Sequence, residues 1–429
     1  MEITAPTPTV LRRAAAPSRP LRVLDITDFW SDEASGGVKT YLQAKIEHLA
    51  EAGIVHSVVV PGASSGETWV GRTRFHRIRG PRVPLSTGYR TLLSTEAVRR
   101  VIATERPDVI EVGSPFFVPW LVQRALGEPR IPTLGFYHAD LVRTFAEPYT
   151  QHRWLAWLRV GLRMTARRFV RDVYRTFDLT AAASASVVRE LRTLGVARVA
   201  QVPLGVDLDT FRLRGPEERA TRSELGVPER VPLGLFVGRL AREKRLDVAL
   251  DGHARIPPER RPHLLLVGDG PERPALEARA RHQAGLTVHR YVESRQEVAR
   301  VFGAADFYLA CGPGETFGLS IAEALASGLP VVVVDRGAAP DRVAGAGVAE
   351  RYRHGDPADA ARALEEIVPR LGDDLAARAR RHAEEHFSWD RTFETLSGLY
   401  DGLAAGGRGR PVGHEAGADT RSSPAPGRG

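Results

Sequence analysis

The sequence predicts an α/β protein of two domains, each built on a parallel β-sheet. Apolar runs such as PVVVVD (Pro330–Asp335) are continuous rather than alternating, as strands buried on both faces are. Such runs alternate along the chain with loops and helical patterns, giving a repeated strand–helix–strand rhythm. The length, 429 residues, suits two large domains that each bury a core.

Composition limits the function classes. The chain is 43% hydrophobic and 26% charged, ordinary for a soluble globular protein. Its net charge is +8. Half of that excess comes from the arginines of residues 1–20 and 405–429, and the remainder is too small for a nucleic-acid footprint. One cysteine, Cys311, rules out an internal disulfide and any cysteine-rich metal site, and its place at a strand end reads as a buried thiol. No run reaches the roughly 20 apolar residues of a membrane span, and no apolar signal region follows the N-terminal basic residues. These features predict a cytoplasmic protein.

Residues 1–20, rich in Pro, Ala and Thr, read as a disordered tail. The first strand, Leu21–Thr27, leads through a loop to the helix Lys39–Gly53 and then the strand His56–Gly62. Gly36 and Gly37 precede that helix, where the absence of side chains lets backbone approach a ligand. Thr104–Phe117 supplies another strand and a Gly-Ser-Pro loop, and Ile131–Asp140 a further strand ending near His138. From 152 to 177 arginines recur every four residues, at 159, 163, 167, 171 and 175, beside Trp154, Trp157, Phe169 and Val173. This basic amphipathic helix reads either as packed on the first sheet with a solvated arginine face or as a peripheral membrane contact, and the two are compatible. Asp178–Phe211 gives strand, helix and strand, then PLGVD, a linker closing the first domain at about residue 205.

The second domain, 206–386, opens with the strand and loop of VPLGLFVGRLAREK. Gly238, Arg239 and Lys244 lie on that strand-end loop, where two cations can grip a diphosphate. His263–Ala280 is strand, GDG turn and helix. Its GDGPER run departs from the dinucleotide fingerprint, because Arg273 stands at the last glycine position. Leu286–Ala310 adds two strands around a helix. Then comes GPGETFGLSIAEALASGLPVVVVD, a loop, a short helix from about Gly318 to Ser327, and the strand at 330. Gly328 closes that helix where a left-handed residue is wanted. Glu315, Thr316, Phe317, Gly318 and Leu319 lie where the helix amides begin, a natural phosphate cradle. Glu323 sits within a nearly all-apolar helix with no Lys or Arg within a helical turn, so its hydrogen-bond donors must come from elsewhere in the fold or from a ligand. Phe387–Leu403 is an amphipathic helix, and residues 404–429 read as a second disordered tail.

Glu315 and Glu323, framing TFGLSIA and followed by ALASGLPVV, resemble the E-x7-E motif of the retaining glycosyltransferases of family 4. The resemblance spans roughly residues 21–403, strongest from Val231 to Val343 and weakest from Trp69 to Arg100. It implies the GT-B architecture, two Rossmann-like domains facing across a cleft, with helix 387–403 returning to the first. It implies that Arg239 and Lys244 of G-R-L-x-x-E-K hold the nucleotide diphosphate. The Gly36-Gly37 loop would face donor phosphate and acceptor, and His138 would lie near the donor hexose. Glu315 would hold sugar hydroxyls, Glu323 the ribose, and backbone at Tyr291-Val292 the base. No metal or cofactor is implied, so Asp207-Leu208-Asp209 reads as linker structure. Two departures stand out: Leu204 where PNGVD usually has Asn, and GAAPD (Gly337–Asp341) where GGxPE is frequent.

The expected reaction is transfer of a hexose, mannose or glucose, from a nucleotide sugar (GDP-mannose or a UDP-hexose) to an acceptor hydroxyl, with retention. The acceptor would be lipid or glycolipid, at the inner face of the cytoplasmic membrane, if the arginine stripe faces a membrane. A nucleotide-sugar epimerase of the same architecture, a non-catalytic sugar-nucleotide-binding protein and a dinucleotide oxidoreductase remain alternatives. The missing dinucleotide fingerprint counts against the last.

Overall fold

The computed structural model describes residues 19–31, 36–83, 88–138, 156–213, 215, 221–292 and 294–406. The expected tails fall outside these, apart from 19–20 and 404–406, as do Ala139, Asp140 and residues 152–155 of the arginine-rich stretch.

The first sheet has eight strands: β1 Arg22–Ile26, β2 Val55–Gly62, β3 Gly66–Val70, β4 Thr73–Arg79, β5 Val109–Val112, β6 Thr133–Tyr137, β7 Leu179–Ala182 and β8 Val199–Gln201. Their order is β3-β4-β2-β1-β5-β6-β7-β8, parallel throughout except for the antiparallel β3–β4 hairpin at one edge. That hairpin had no counterpart in the sequence reading. β3 is exposed along its whole length, so it shows none of the buried apolar pattern that marks the other strands.

Five helices described in this half are α1 Gly37–Glu51, α2 Thr95–Glu105, α3 Val118–Ala125, α4 Ala156–Tyr174 and α5 Ala185–Thr193. α4 is the arginine-rich segment. Val170, Val173 and Tyr174 at its C-terminal end are buried with Phe177, whereas Leu162 and Met164 are exposed.

The second sheet is wholly parallel, with β9 Leu233–Val237, β10 His263–Val267, β11 Leu286–His289, β12 Phe307–Ala310, β13 Val331–Val334 and β14 Ala349–Tyr352 in the order β11-β10-β9-β12-β13-β14. Around it lie α6 Leu246–Arg255, α7 Arg273–Ala280, α8 Arg295–Ala304, α9 Leu319–Ala326, α10 Ala339–Arg342, α11 Pro357–Ile367 and α12 Asp373–His386. The last helix, α13 Trp389–Gly406, packs against α1 and β5 of the first half. Trp389, Phe393, Leu396 and Tyr400 form its buried stripe, the 3.6-residue period of a helix with one apolar face.

The two connections between the halves run side by side. The Val206 amide donates to the Phe387 carbonyl at 2.8 Å, and Val206 pairs with Ser388. Each sheet reverses its winding once, between β1 and β5 in the first and between β9 and β12 in the second. Open parallel sheets bind ligands at such points, outside the carboxyl ends of the strands.

Candidate active site

The reversal of the second sheet brings together two loops far apart in sequence. One follows β9 and carries Lys244; the other follows β12 and carries Glu315. Lys244 Nζ lies 2.5 Å from Glu315 Oε1, each side chain about a quarter exposed. Burial alone pulls the Lys244 ammonium down, but the Glu315 carboxylate, with Glu243, more than reverses this and leaves its pKa raised. Tyr308, Cys311 and Ser320 line the same cleft. Burial pushes the Cys311 thiol up to about 12, so it is the inert buried thiol expected. Gly238 has φ +156°, and Arg239 after it is exposed, its guanidinium 3.7 Å from Glu243.

The E-x7-E segment folds as its residue types require. Gly318 takes φ +82° immediately before α9, and Gly328 takes φ +76° after it, left-handed positions where a side chain is strained. Between them Glu323 is 9% exposed. Its partner is Arg295 at the start of α8, Nη1 to Oε1 3.3 Å. Burial raises the Glu323 pKa and Arg295 opposes the rise. Local spacing shows that Glu323 needs a donor but not which one, because Arg295 lies 28 positions upstream and reaches it only through tertiary packing.

Two contacts join this segment to the first domain. Thr316 Oγ1 donates to the His138 carbonyl at 2.7 Å. A Cβ added to Gly37 would stand 3.0 Å from Leu319 Cδ1, so the start of α1 and the start of α9 lie in close contact here. Gly36 faces Tyr89, whose hydroxyl would lie 3.4 Å from such a Cβ. Burial raises the Tyr89 pKa against the opposing charge of Arg239 from the other domain. No motif marked Tyr89 in the sequence.

His138 stacks on Phe136, ring centroids 4.2 Å apart, and its Nε2 is buried with no protein partner. Burial and the Lys45 charge push its pKa down to about 3, against Asp25, so the ring is neutral at pH 7. Lys45 itself is fully buried, 2.8 Å from Asp25 and 3.1 Å from Glu111. Tyr41 donates to Glu111 at 2.8 Å, Tyr400 of α13 donates to the other carboxylate oxygen, and His56 meets Asp25 at 2.8 Å. A buried cation is tolerable only with this density of partners.

Of the remaining expected site residues, Val292 is buried at 5% exposure beside the half-exposed Tyr291. Asp207 accepts hydrogen bonds from the amides of Asp209 and Thr210, a local turn within the linker. Among the described residues no group of His, Cys, Asp and Glu is arranged to hold a metal, and no helix is long and apolar enough to cross a membrane.

Known proteins match this chain over most of its length. Residues 35–210 match Glycosyltransferase Family 4, and residues 231–369 match Glycosyl transferases group 1. A Mycobacterium tuberculosis GDP-mannose-dependent alpha-(1-6)-phosphatidylinositol dimannoside mannosyltransferase is 30% identical over 402 residues, covering 90% of this chain and 98% of that protein. The chain belongs to glycosyltransferase family 4. This family 4 glycosyltransferase is also 32% identical to the D-inositol 3-phosphate glycosyltransferase of Geodermatophilus obscurus, over 86% of this chain and 85% of that one. Among solved structures, the sucrose-phosphate synthase of Thermosynechococcus elongatus superposes with TM-score 0.73 at 20% identity, over 90% of this chain and 100% of that one. The fold is therefore GT-B, as expected.

Proposed function

We propose that this enzyme transfers a hexose, mannose by preference, from a nucleotide-diphosphate sugar to an acceptor hydroxyl, with retention and without a metal ion. The observation that carries the reading is the Lys244–Glu315 pair at the reversal of the second sheet, one short helix from Glu323. The donor follows one relative, whose name gives GDP-mannose, and inositol-based compounds occur in the names of both relatives.

Breaking the bond between the anomeric carbon and the diphosphate leaves negative charge on the departing phosphate oxygens. Lys244, Arg239 and the amides from Phe317 to Leu319 are disposed to neutralise it, a role that preorganised donors fill without reorganisation. Glu315 would exchange part of its hold on Lys244 for the hydroxyls of the donor sugar. Glu323, kept in place by Arg295, would accept the ribose hydroxyls. The acceptor oxygen would attack the face the diphosphate leaves, passing its proton to a phosphate oxygen. His138, neutral and with a buried unpartnered Nε2, would hydrogen-bond the hexose or the acceptor.

The acceptor side of the proposal is a lipid or glycolipid at the inner face of the cytoplasmic membrane. Exposed Phe117 and Trp120 at the start of α3, Met164 of α4, and exposed Arg163, Arg167 and Arg168 of α4 support it. Such a mixture of aromatic, apolar and basic side chains suits an anionic interface.

Calorimetry with GDP, UDP and ADP in the presence of a chelator tests the donor half. Micromolar binding of GDP, followed by an α-configured product from GDP-α-mannose, is the expected result. No nucleotide binding, or binding only with metal added, overturns it.

A further inference from the structure

The GAAPD loop departs from the family pattern, and α10 at its end touches the first domain. Asp341 Oδ2 accepts a hydrogen bond from the Ser186 amide at 2.7 Å, and its other oxygen lies 3.7 Å from Arg189. Ser186 is the second residue of α5, where an amide has no acceptor within its own helix. A carboxylate from the opposite domain satisfies it, at the end of the helix where the dipole favours negative charge.

The same four-residue helix is tied to the site from its other side. The Ala338 amide donates to the Glu315 carbonyl at 2.9 Å. A Cβ on Gly337 would stand 2.5 Å from the Pro313 carbonyl, so this turn lies directly against the loop that carries Glu315. Arg342, next to Asp341, is 4% exposed and covers Phe317 at 4.6 Å and Phe387 at 5.2 Å. One short segment therefore touches the first domain, the Glu315 loop, the phenylalanine of the phosphate cradle and the start of the returning chain.

We propose that Asp341 is a positioning residue: by holding the N-terminus of α5, it makes the setting of Glu315 and Phe317 depend on closure of the two domains. The first domain then reports its approach through α10 to the site 26 residues earlier in the chain, and the loop is fully ordered only when the cleft is closed. Thr316, bonded to the His138 carbonyl, closes the same joint from the other side.

The inference rests on the reading of the cleft as the donor site, but its first test needs no ligand. Amide hydrogen exchange is measured on the full chain and on Asp341→Ala, Asp341→Asn and Asp341→Glu. In Asp341→Ala the Ser186 amide exchanges faster by about tenfold or more, the effect of losing one hydrogen bond to a charged group, and the Ala338 amide speeds up with it. Asp341→Asn, which keeps the shape and loses the charge, gives a smaller change in the same two places. Asp341→Glu restores both.

The second readout is GDP calorimetry beside GDP-mannose turnover: Asp341→Ala lowers turnover about tenfold and weakens GDP binding, which the Phe317–Leu319 amides share, by a smaller factor. Faster exchange at Ser186 with Ala338 unaltered overturns the coupling, and so does wild-type turnover in Asp341→Ala. Failure of the unaltered chain to bind any nucleotide defeats the donor-site reading instead, and the exchange pattern still decides the coupling.

Discussion

The hydroxyl of Thr316 meets the backbone carbonyl of His138 at 2.7 Å, a single hydrogen bond from the second domain to the end of β6 in the first. It joins the residue after Glu315 to the strand end that faces the cleft. Thr316→Val keeps the shape and removes the donor. The expected result is a fall in turnover of up to about tenfold, the worth of one neutral hydrogen bond, with Thr316→Ser close to the unaltered enzyme. Steady-state kinetics with GDP-mannose measures it.

Lys244 pairs with Glu315 at the place where the leaving diphosphate would sit. Lys244→Ala removes the charge that would stabilise it, at a cost on the order of 2.7–4 kcal/mol of barrier, or about a hundredfold or more in turnover. GDP affinity falls as well. Normal turnover in this variant would remove Lys244 from the proposed phosphate clamp.

Glu323 holds a raised pKa because it is buried, with Arg295 only partly compensating. A carboxyl whose folded pKa lies above its unfolded value favours the folded state at low pH. That contribution declines as pH rises from the ordinary carboxylate range through the raised value. Glu323→Gln removes the penalty. At pH 7 the variant melts at the same temperature or higher, while GDP binding weakens by about tenfold or more through loss of a charged acceptor. Thermal melts and calorimetry on one sample separate the two effects.

For His138 the sign runs the other way. Burial and Lys45 push its pKa down to about 3, so between about 6.5 and 3 the unfolded chain takes up a proton that the folded chain refuses. The resulting stability is complete above the ordinary histidine pKa and is lost as pH falls towards 3. His138→Phe lacks this titration, so melting temperature declines less steeply below pH 6.5 than in the unaltered protein. Parallel slopes would contradict a neutral ring with its Nε2 buried.

Much of this was legible in the amino-acid order because it depends on local periodicity. The continuous apolar run Val331–Val334, the glycines flanking α9 and the apolar stripe of α13 each express a strand, a cap or a helix face within a few residues. The E-x7-E segment carries the family in the same way, since its spacing places both glutamates by the geometry of a single loop and helix.

Tertiary structure alone decided which charges meet. Lys244 and Glu315 are 71 residues apart and come together because β9 and β12 are neighbours where the second sheet reverses. Arg295 reaches Glu323 only because α8 packs beside α9. Lys45 looked like an ordinary residue of an amphipathic helix, yet it is buried among Asp25, Glu111 and Tyr400 from two strands and the returning helix. A side chain's periodicity records whether it faces the core, but the partner that makes a buried charge tolerable is chosen by how sheets and helices pack. That choice leaves no trace in local spacing.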